Sequence, residues 1–178
     1  LLISRGFDPQ TMFAIYNGVD FSPVTPAMGR EEYLASVGLS AGPDSVVFGI
    51  AARLNPVKDI GTLIRAFSRV VANEPGCRLI VAGDGEQAAE LRALAAETCP
   101  PGTVAFPGWV TDTDSFYGAL DVNMLTSLSE TVPYSLTEEF TAVYRMHPLM
   151  PDDFDLRAAG DDHELGAYTL RGLSGTGA

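Results

Sequence analysis

Val46-Val-Phe-Gly-Ile-Ala51, followed at once by Ala52-Arg-Leu-Asn-Pro-Val-Lys-Asp59, decides how this chain folds. The first six residues are apolar without alternation and rich in β-branched side chains, the pattern of a strand covered on both faces. The next eight contain an Asn-Pro turn signal. From Gly61 to Val71, apolar Leu63, Ile64, Phe67, Val70 and Val71 then recur at three-and-four spacing, as on the buried stripe of a helix. A buried strand, a turn and a helix make the first half of a βα unit, and such a unit needs parallel strands beside it.

Further along, the same rhythm repeats. Arg78 to Ala82 carries Leu79, Ile80 and Val81, and Gly83-Asp84-Gly85 turns the chain into a second helical pattern, Glu86 to Glu97, through Ala88, Leu91, Leu94 and Ala95. Val104 to Phe106 is a third strand, stopped by Pro107-Gly108. Asp112 to Leu120 forms a short helix, and Val122 to Leu125 a fourth strand. Before this block lie an Asn17-Gly18 turn and a brief helix from Arg30 to Leu39. After Glu138 the rhythm ends. Phe140 to Met150 has the period of one more amphipathic helix, and from Pro151 the chain turns acidic, with no convincing strand. The fold expected is α/β, a doubly wound parallel sheet of about four strands with a C-terminal helix and an acidic irregular tail.

Composition narrows the function. Eleven Lys plus Arg against 23 Asp plus Glu give a net charge of −12, so the field that would gather nucleic acid or an anionic membrane is missing. Neither is expected as a partner. Two cysteines, Cys77 and Cys99, are too few for a disulfide scaffold and wrongly spaced for zinc; a reducing compartment, the cytoplasm, fits them. No apolar run reaches the length that spans a bilayer.

In a doubly wound sheet, ligands sit beyond the carboxyl ends of the strands, where strand order reverses. If the first strand is central, with the second and third to one side and the fourth to the other, the crevice lies between strands one and four. Arg53 and Lys58 follow strand one and precede its helix, whose N-terminus already favours an anion. A phosphate is the natural guest, although a solvated Arg53 and a Lys58 paired with Asp59 would also satisfy the sequence. Gly83, in Gly83-Asp84-Gly85, either brings backbone close to a ligand or makes a tight strand-to-helix turn. Beyond strand four, Glu130 and Glu138 can both face the crevice if a helix begins near Pro133, and carboxylates there suit sugar hydroxyls and a ribose. No metal-ligand cluster is apparent.

Ile15–Asp20 (Ile-Tyr-Asn-Gly-Val-Asp), Gly49–Asp59, Leu79–Gly85, Phe106–Trp109 (Phe-Pro-Gly-Trp), Asp121–Leu125 and the Glu130/Glu138 pair, in that order, resemble the C-terminal donor domain of family 4 glycosyltransferases of the B fold. The resemblance covers residues 1–138. It implies a Rossmann-like sheet and retaining transfer of a sugar from a nucleotide-diphosphate donor of UDP or GDP type, with no metal or other cofactor required. By motif, Arg53 and Lys58 would hold the donor diphosphate, Gly83 would line the donor site, and Glu130 and Glu138 would hold the sugar hydroxyls and the ribose. The family also has an N-terminal acceptor domain and two last strands that this sequence does not match. The expectation is therefore a partial donor domain, inactive alone, with the acceptor undefined. The unmatched strands leave strand four as an open edge through which the chain could self-associate.

Val132–Asp153, containing Tyr144-Arg-Met-His147-Pro-Leu-Met-Pro-Asp, has a resemblance of its own, to the proximal helix of animal-type haem peroxidases, the superfamily of cyclooxygenases and fatty-acid dioxygenases. That likeness implies His147 as a haem ligand and Tyr144 as a radical-forming residue, on one helical face. It divides the chain into a donor part, 1–138, and a peroxidase-like helix with a tail expected to be disordered, 139–178. The two patterns overlap at Pro133–Glu138, as they would where two genes had been joined. A haem peroxidase or dioxygenase fragment, or a non-catalytic remnant of a fusion, is the competing reading of function.

Overall fold

The structure, a computed structural model, describes residues 5, 6, 8, 10, 25–42, 44–129 and 167–169. Its elements in order are α1 (Arg30–Ser36), β1 (Val47–Ala51), a 3-10 turn (Pro56–Lys58), α2 (Ile60–Asn73), β2 (Arg78–Ala82), α3 (Ala88–Thr98), β3 (Val104–Gly108), α4 (Thr113–Gly118), β4 (Val122–Met124) and β5 (Ala167–Thr169). The strands form one sheet in the order β3-β2-β1-β4-β5. β1 is central and parallel to both β2 and β4, β3 extends the sheet beyond β2, and the expected reversal falls between β1 and β4.

Alternation along the strands builds two cores. Leu79 and Val81 of β2, with Ile50 and Phe48 of β1, face α2 and α3, whose stripes Ile60, Leu63, Ile64, Phe67, Val71 and Leu91, Ala95 close that layer. Phe48 meets Phe67 edge to face at 6.1 Å between centroids. On the opposite face, Val47, Ile80, Ala82 and Ala105 pack under Tyr33 and Leu34 of α1 and Phe116, Tyr117 and Leu120 of the α4 segment. Gly49 of β1 lies under Leu120 so closely that an added Cβ would come within 3.0 Å of Leu120 Cγ. The contact explains a glycine inside a central strand.

At the amino edge of the sheet, Asp121 ties three elements together. Its Oδ2 accepts from the Val47 amide at 2.7 Å and from Arg30 Nη2 at 2.7 Å, while Arg30 Nη1 donates to the Ala119 carbonyl at 2.8 Å. A buried polar feature lies between α1 and α4. The Asp112 side chain caps α4 by accepting from the Ser115 amide at 3.1 Å, yet its Oδ2 and the Tyr33 hydroxyl are buried with no hydrogen-bond partner. Burial first, and the nearby Asp112 charge second, push the Tyr33 phenol from 10.0 up to about 12.

Two expectations are corrected. A fifth strand exists: Ala167–Thr169, within the acidic tail read as irregular, pairs antiparallel with β4, Asn123 facing Tyr168. The fourth strand is therefore not an open edge. Ala-Tyr-Thr carries no alternation of its own; the row of unpaired backbone groups on β4 is what recruits it. The outer margin on the other side is β3, which contains Pro107 and whose register against β2 shifts between Ile80 and Ala82. The expected Asn17-Gly18 turn and the helix over 140–150 lie outside the described residues.

Candidate functional site

Chain segments leaving β1, β2 and β4 meet at the carboxyl edge of the sheet. After β1, the Ala52 amide still donates to Ala82 O at 3.0 Å, as if the strand continued. Two residues on, fully buried Leu54 donates its amide to Asp84 O at 2.9 Å and accepts from the Gln87 amide at 3.1 Å. Arg53 lies between these two anchors, with an exposed side chain. The Asn55 side chain then accepts from the Lys58 amide at 3.3 Å, shaping the Pro56–Lys58 turn that carries Lys58 to the start of α2.

Among the described residues, Asp59 is the one non-glycine with positive φ, 47°. This left-handed residue reverses the chain between the turn and the 14-residue α2, and its carboxylate makes no capping hydrogen bond to the helix. The amino end of α2, separated from Lys58 by Asp59 alone, is thus left without a side-chain cap at the point where strand order reverses. Arg53 and Lys58 belong to the loop that leads from β1 to this helix. The facing lip is fixed to this loop: buried Thr126 donates its hydroxyl to the Lys58 carbonyl at 2.8 Å, and the Leu128 amide donates to the Val57 carbonyl at 2.8 Å. Neither the Thr126 tie nor the left-handed Asp59 has a signature in the sequence.

Gly83 has a defined place. Its φ is +123°, its amide donates to the Gly108 carbonyl at 2.7 Å, and a Cβ on it would overlap the Ala52 carbonyl oxygen. Glycine here lets the loop after β2 press on the loop after β1. Gly85 does the same one step further: a Cβ would lie 2.8 Å from Leu54 C and 2.9 Å from Leu54 N. Of the remaining sequence candidates, Glu130, Glu138, Tyr144 and His147 lie outside the described residues. Among the described residues no group of His, Cys, Asp or Glu could hold a metal ion, and no helix is long and apolar enough to cross a membrane. Burial, and then Glu74, raise the Cys77 thiol against the opposing pull of Arg78, which disfavours the reactive thiolate.

With this geometry in view, comparison with known proteins is decisive. A family model described as Glycosyl transferases group 1 matches residues 37–143, a span that holds β1 to β4 and both lips of the crevice. The chain belongs to this family. It is 34% identical over 102 residues to the lipopolysaccharide core biosynthesis glycosyltransferase LpsE of Rhizobium meliloti strain 1021, covering 57% of this chain and 29% of LpsE. Among solved structures, Alr3699/HepE of Anabaena, in complex with UDP-glucose, superimposes with a TM-score of 0.65 at 25% identity over 79% of this chain and 39% of that one. The chain thus spans well under half the length of these two glycosyltransferases. A short stretch has different kin: 36 residues, 20% of the chain, are 64% identical to alpha-dioxygenase PIOX of Pisum sativum and cover 6% of that protein.

Proposed function

We propose that this chain is the donor-binding part of a retaining glycosyltransferase of family 4 and holds a nucleotide-diphosphate sugar in the crevice between β1 and β4. The observation that carries the reading is an amino end of α2 without a side-chain cap at the reversal of strand order, reached by the loop that bears Arg53 and Lys58. Two cations and a helix dipole favour a dianionic group more than any neutral ligand. Glu130 takes the sugar hydroxyls and Glu138 the ribose, while Gly83 serves through the backbone it brings together. The UDP-glucose held by Alr3699/HepE supports a uridine donor, with a GDP-type donor as the alternative.

The chemistry follows from charge. The bond between the anomeric carbon and the diphosphate oxygen breaks, its electron pair stays on the diphosphate, and Arg53 and Lys58 stabilise the charge that develops there. The acceptor oxygen bonds to the same face of the sugar, and its proton leaves with the departing phosphate. No metal is needed where two side-chain cations already neutralise the leaving group. Transfer also requires an acceptor held against the donor, so the chain alone is expected to bind donor but not to transfer sugar. The nucleotide sugars it uses and its free, buried thiols suit the cytoplasm.

Calorimetry with UDP and with GDP tests the reading. Lys58→Ala should weaken binding of the preferred nucleotide by about 1–3 kcal/mol, the worth of a charge-assisted hydrogen bond. Equal affinity of wild type and variant would remove Lys58 from the site, and no binding of either nucleotide would overturn the reading as a whole.

The dioxygenase likeness favours a second reading for the segment bearing Tyr144 and His147, a peroxidase-like piece joined to the donor domain near residues 132–138. A Soret band in the protein reconstituted with haem, lost in His147→Ala, would support a retained haem contact. Its absence would leave the segment a non-catalytic remnant.

A further inference from the structure

We propose that Gly83 and Gly85 are positioning residues for Arg53; the inference rests on the donor reading above. Both glycine amides already have partners. The Gly83 amide is taken by the Gly108 carbonyl at 2.7 Å, and the Gly85 amide by Asp84 Oδ1 at 2.8 Å. What both present is a missing side chain, and the space it leaves is filled by the two residues that flank Arg53. The Ala52 carbonyl occupies the place of a Gly83 Cβ, and the Leu54 backbone that of a Gly85 Cβ. The same two residues are hydrogen-bonded to the β2 side, Ala52 to Ala82 O at 3.0 Å and Leu54 to Asp84 O at 2.9 Å.

Arg53 therefore springs from a backbone held on both sides against β2 and its loop, with its own side chain exposed. An arginine on a free loop would lose both backbone and side-chain freedom on gripping a diphosphate. Here the backbone part is already fixed by the fold, and only the side chain has to be ordered. A side chain at either position would push the loop outward and misplace the guanidinium, and at Gly85 it would do so without altering a residue assigned to the donor.

Gly85 is the cleaner probe, because close approach alone, and no positive φ, demands a glycine there. UDP affinity is measured by calorimetry for wild type, Gly85→Ala, Arg53→Ala and the double variant, each checked for native circular dichroism. Arg53→Ala should weaken binding by about 10- to 100-fold, and Gly85→Ala by about tenfold. The double variant should bind no more weakly than Arg53→Ala alone, because a glycine that acts through Arg53 has nothing to position once the guanidinium is gone. A Gly85→Ala variant that binds UDP like wild type, or one whose loss multiplies that of Arg53→Ala, would overturn the proposal while leaving the donor reading intact. If GDP alone binds, the same four proteins are compared with GDP; absence of both UDP and GDP binding by wild type would remove both readings. Should Gly85→Ala fail to fold, exposed Asp84 provides a milder lever. Asp84→Ala removes the acceptor that holds the Gly85 amide, whereas Asp84→Asn keeps an acceptor at the same charge as alanine. Binding two- to threefold weaker in Asp84→Ala than in Asp84→Asn supports the positioning role; equal binding refutes it.

Discussion

Replacing Tyr33 by phenylalanine should make this protein more stable. The ring is 4% exposed and meets Phe116 edge on at 6.3 Å, a contact that phenylalanine keeps. The hydroxyl is buried with no partner, and so is Asp112 Oδ2. An unsatisfied buried hydroxyl costs about 1–3 kcal/mol, so its removal should raise stability at neutral pH by about 1 kcal/mol or more. A second signature appears in alkali. With the phenol pushed up to about 12 in the folded chain and at 10.0 when exposed, the unfolded state ionises first. Below pH 10 the protonated phenol costs nothing further; above it, stability falls with rising pH until the folded phenol ionises too. The loss reaches about 1.4 kcal/mol at pH 11 and twice that beyond pH 12. Tyr33→Phe lacks this limb, so the gap between the two proteins should widen from pH 7 to pH 11, and subtracting one from the other cancels every other titrating group. Urea denaturation at both pH values measures it. A variant less stable than wild type at pH 7 would mean that the hydroxyl is paired, through an ordered water to Asp112. Parallel behaviour to pH 11 would refute the raised phenol.

Two further substitutions test the sheet. Asp121→Ala strips the Val47 amide and Arg30 of their shared acceptor and should cost about 2–3 kcal/mol in denaturant-induced unfolding; a cost under about 0.5 kcal/mol would show that water replaces the carboxylate. Gly49→Val drives a branched side chain into Leu120 and should destabilise by about 1–3 kcal/mol in the same assay, whereas unchanged stability would mean that the α4 side of the core yields.

Most of the scaffold was legible because each strand that packs on both faces must be continuously apolar over its own few residues. Val47–Ala51 and Leu79–Val81 satisfy that locally, and the helices between them show a stripe of matching length. The strand order followed from the connections, and with it the reversal between β1 and β4. What could not be read are features made by partners distant in the chain. β5 is three residues whose conformation is imposed by the edge of β4. Tyr33 owes its raised phenol to burial and to Asp112, and Thr126 finds the Lys58 carbonyl only once β1 and β4 are paired. Gly83 was legible as a turn, but its packing against Ala52 depends on the register of two parallel strands. The left-handed Asp59 is a stricter case, since no sequence rule asks a non-glycine for positive φ at the head of a helix.

The outermost strand on the α3 side, β3, ends the sheet with a residue that has no amide hydrogen, Pro107, beside a glycine at φ 79° and a slipped register against β2. A foreign chain laid along this margin would find the sequence of donors and acceptors broken after a few residues, so backbone templating of the kind that seeds fibrils stops where it starts. Restoring a regular β-branched residue at 107 would convert a terminated margin into one that can be extended by other molecules.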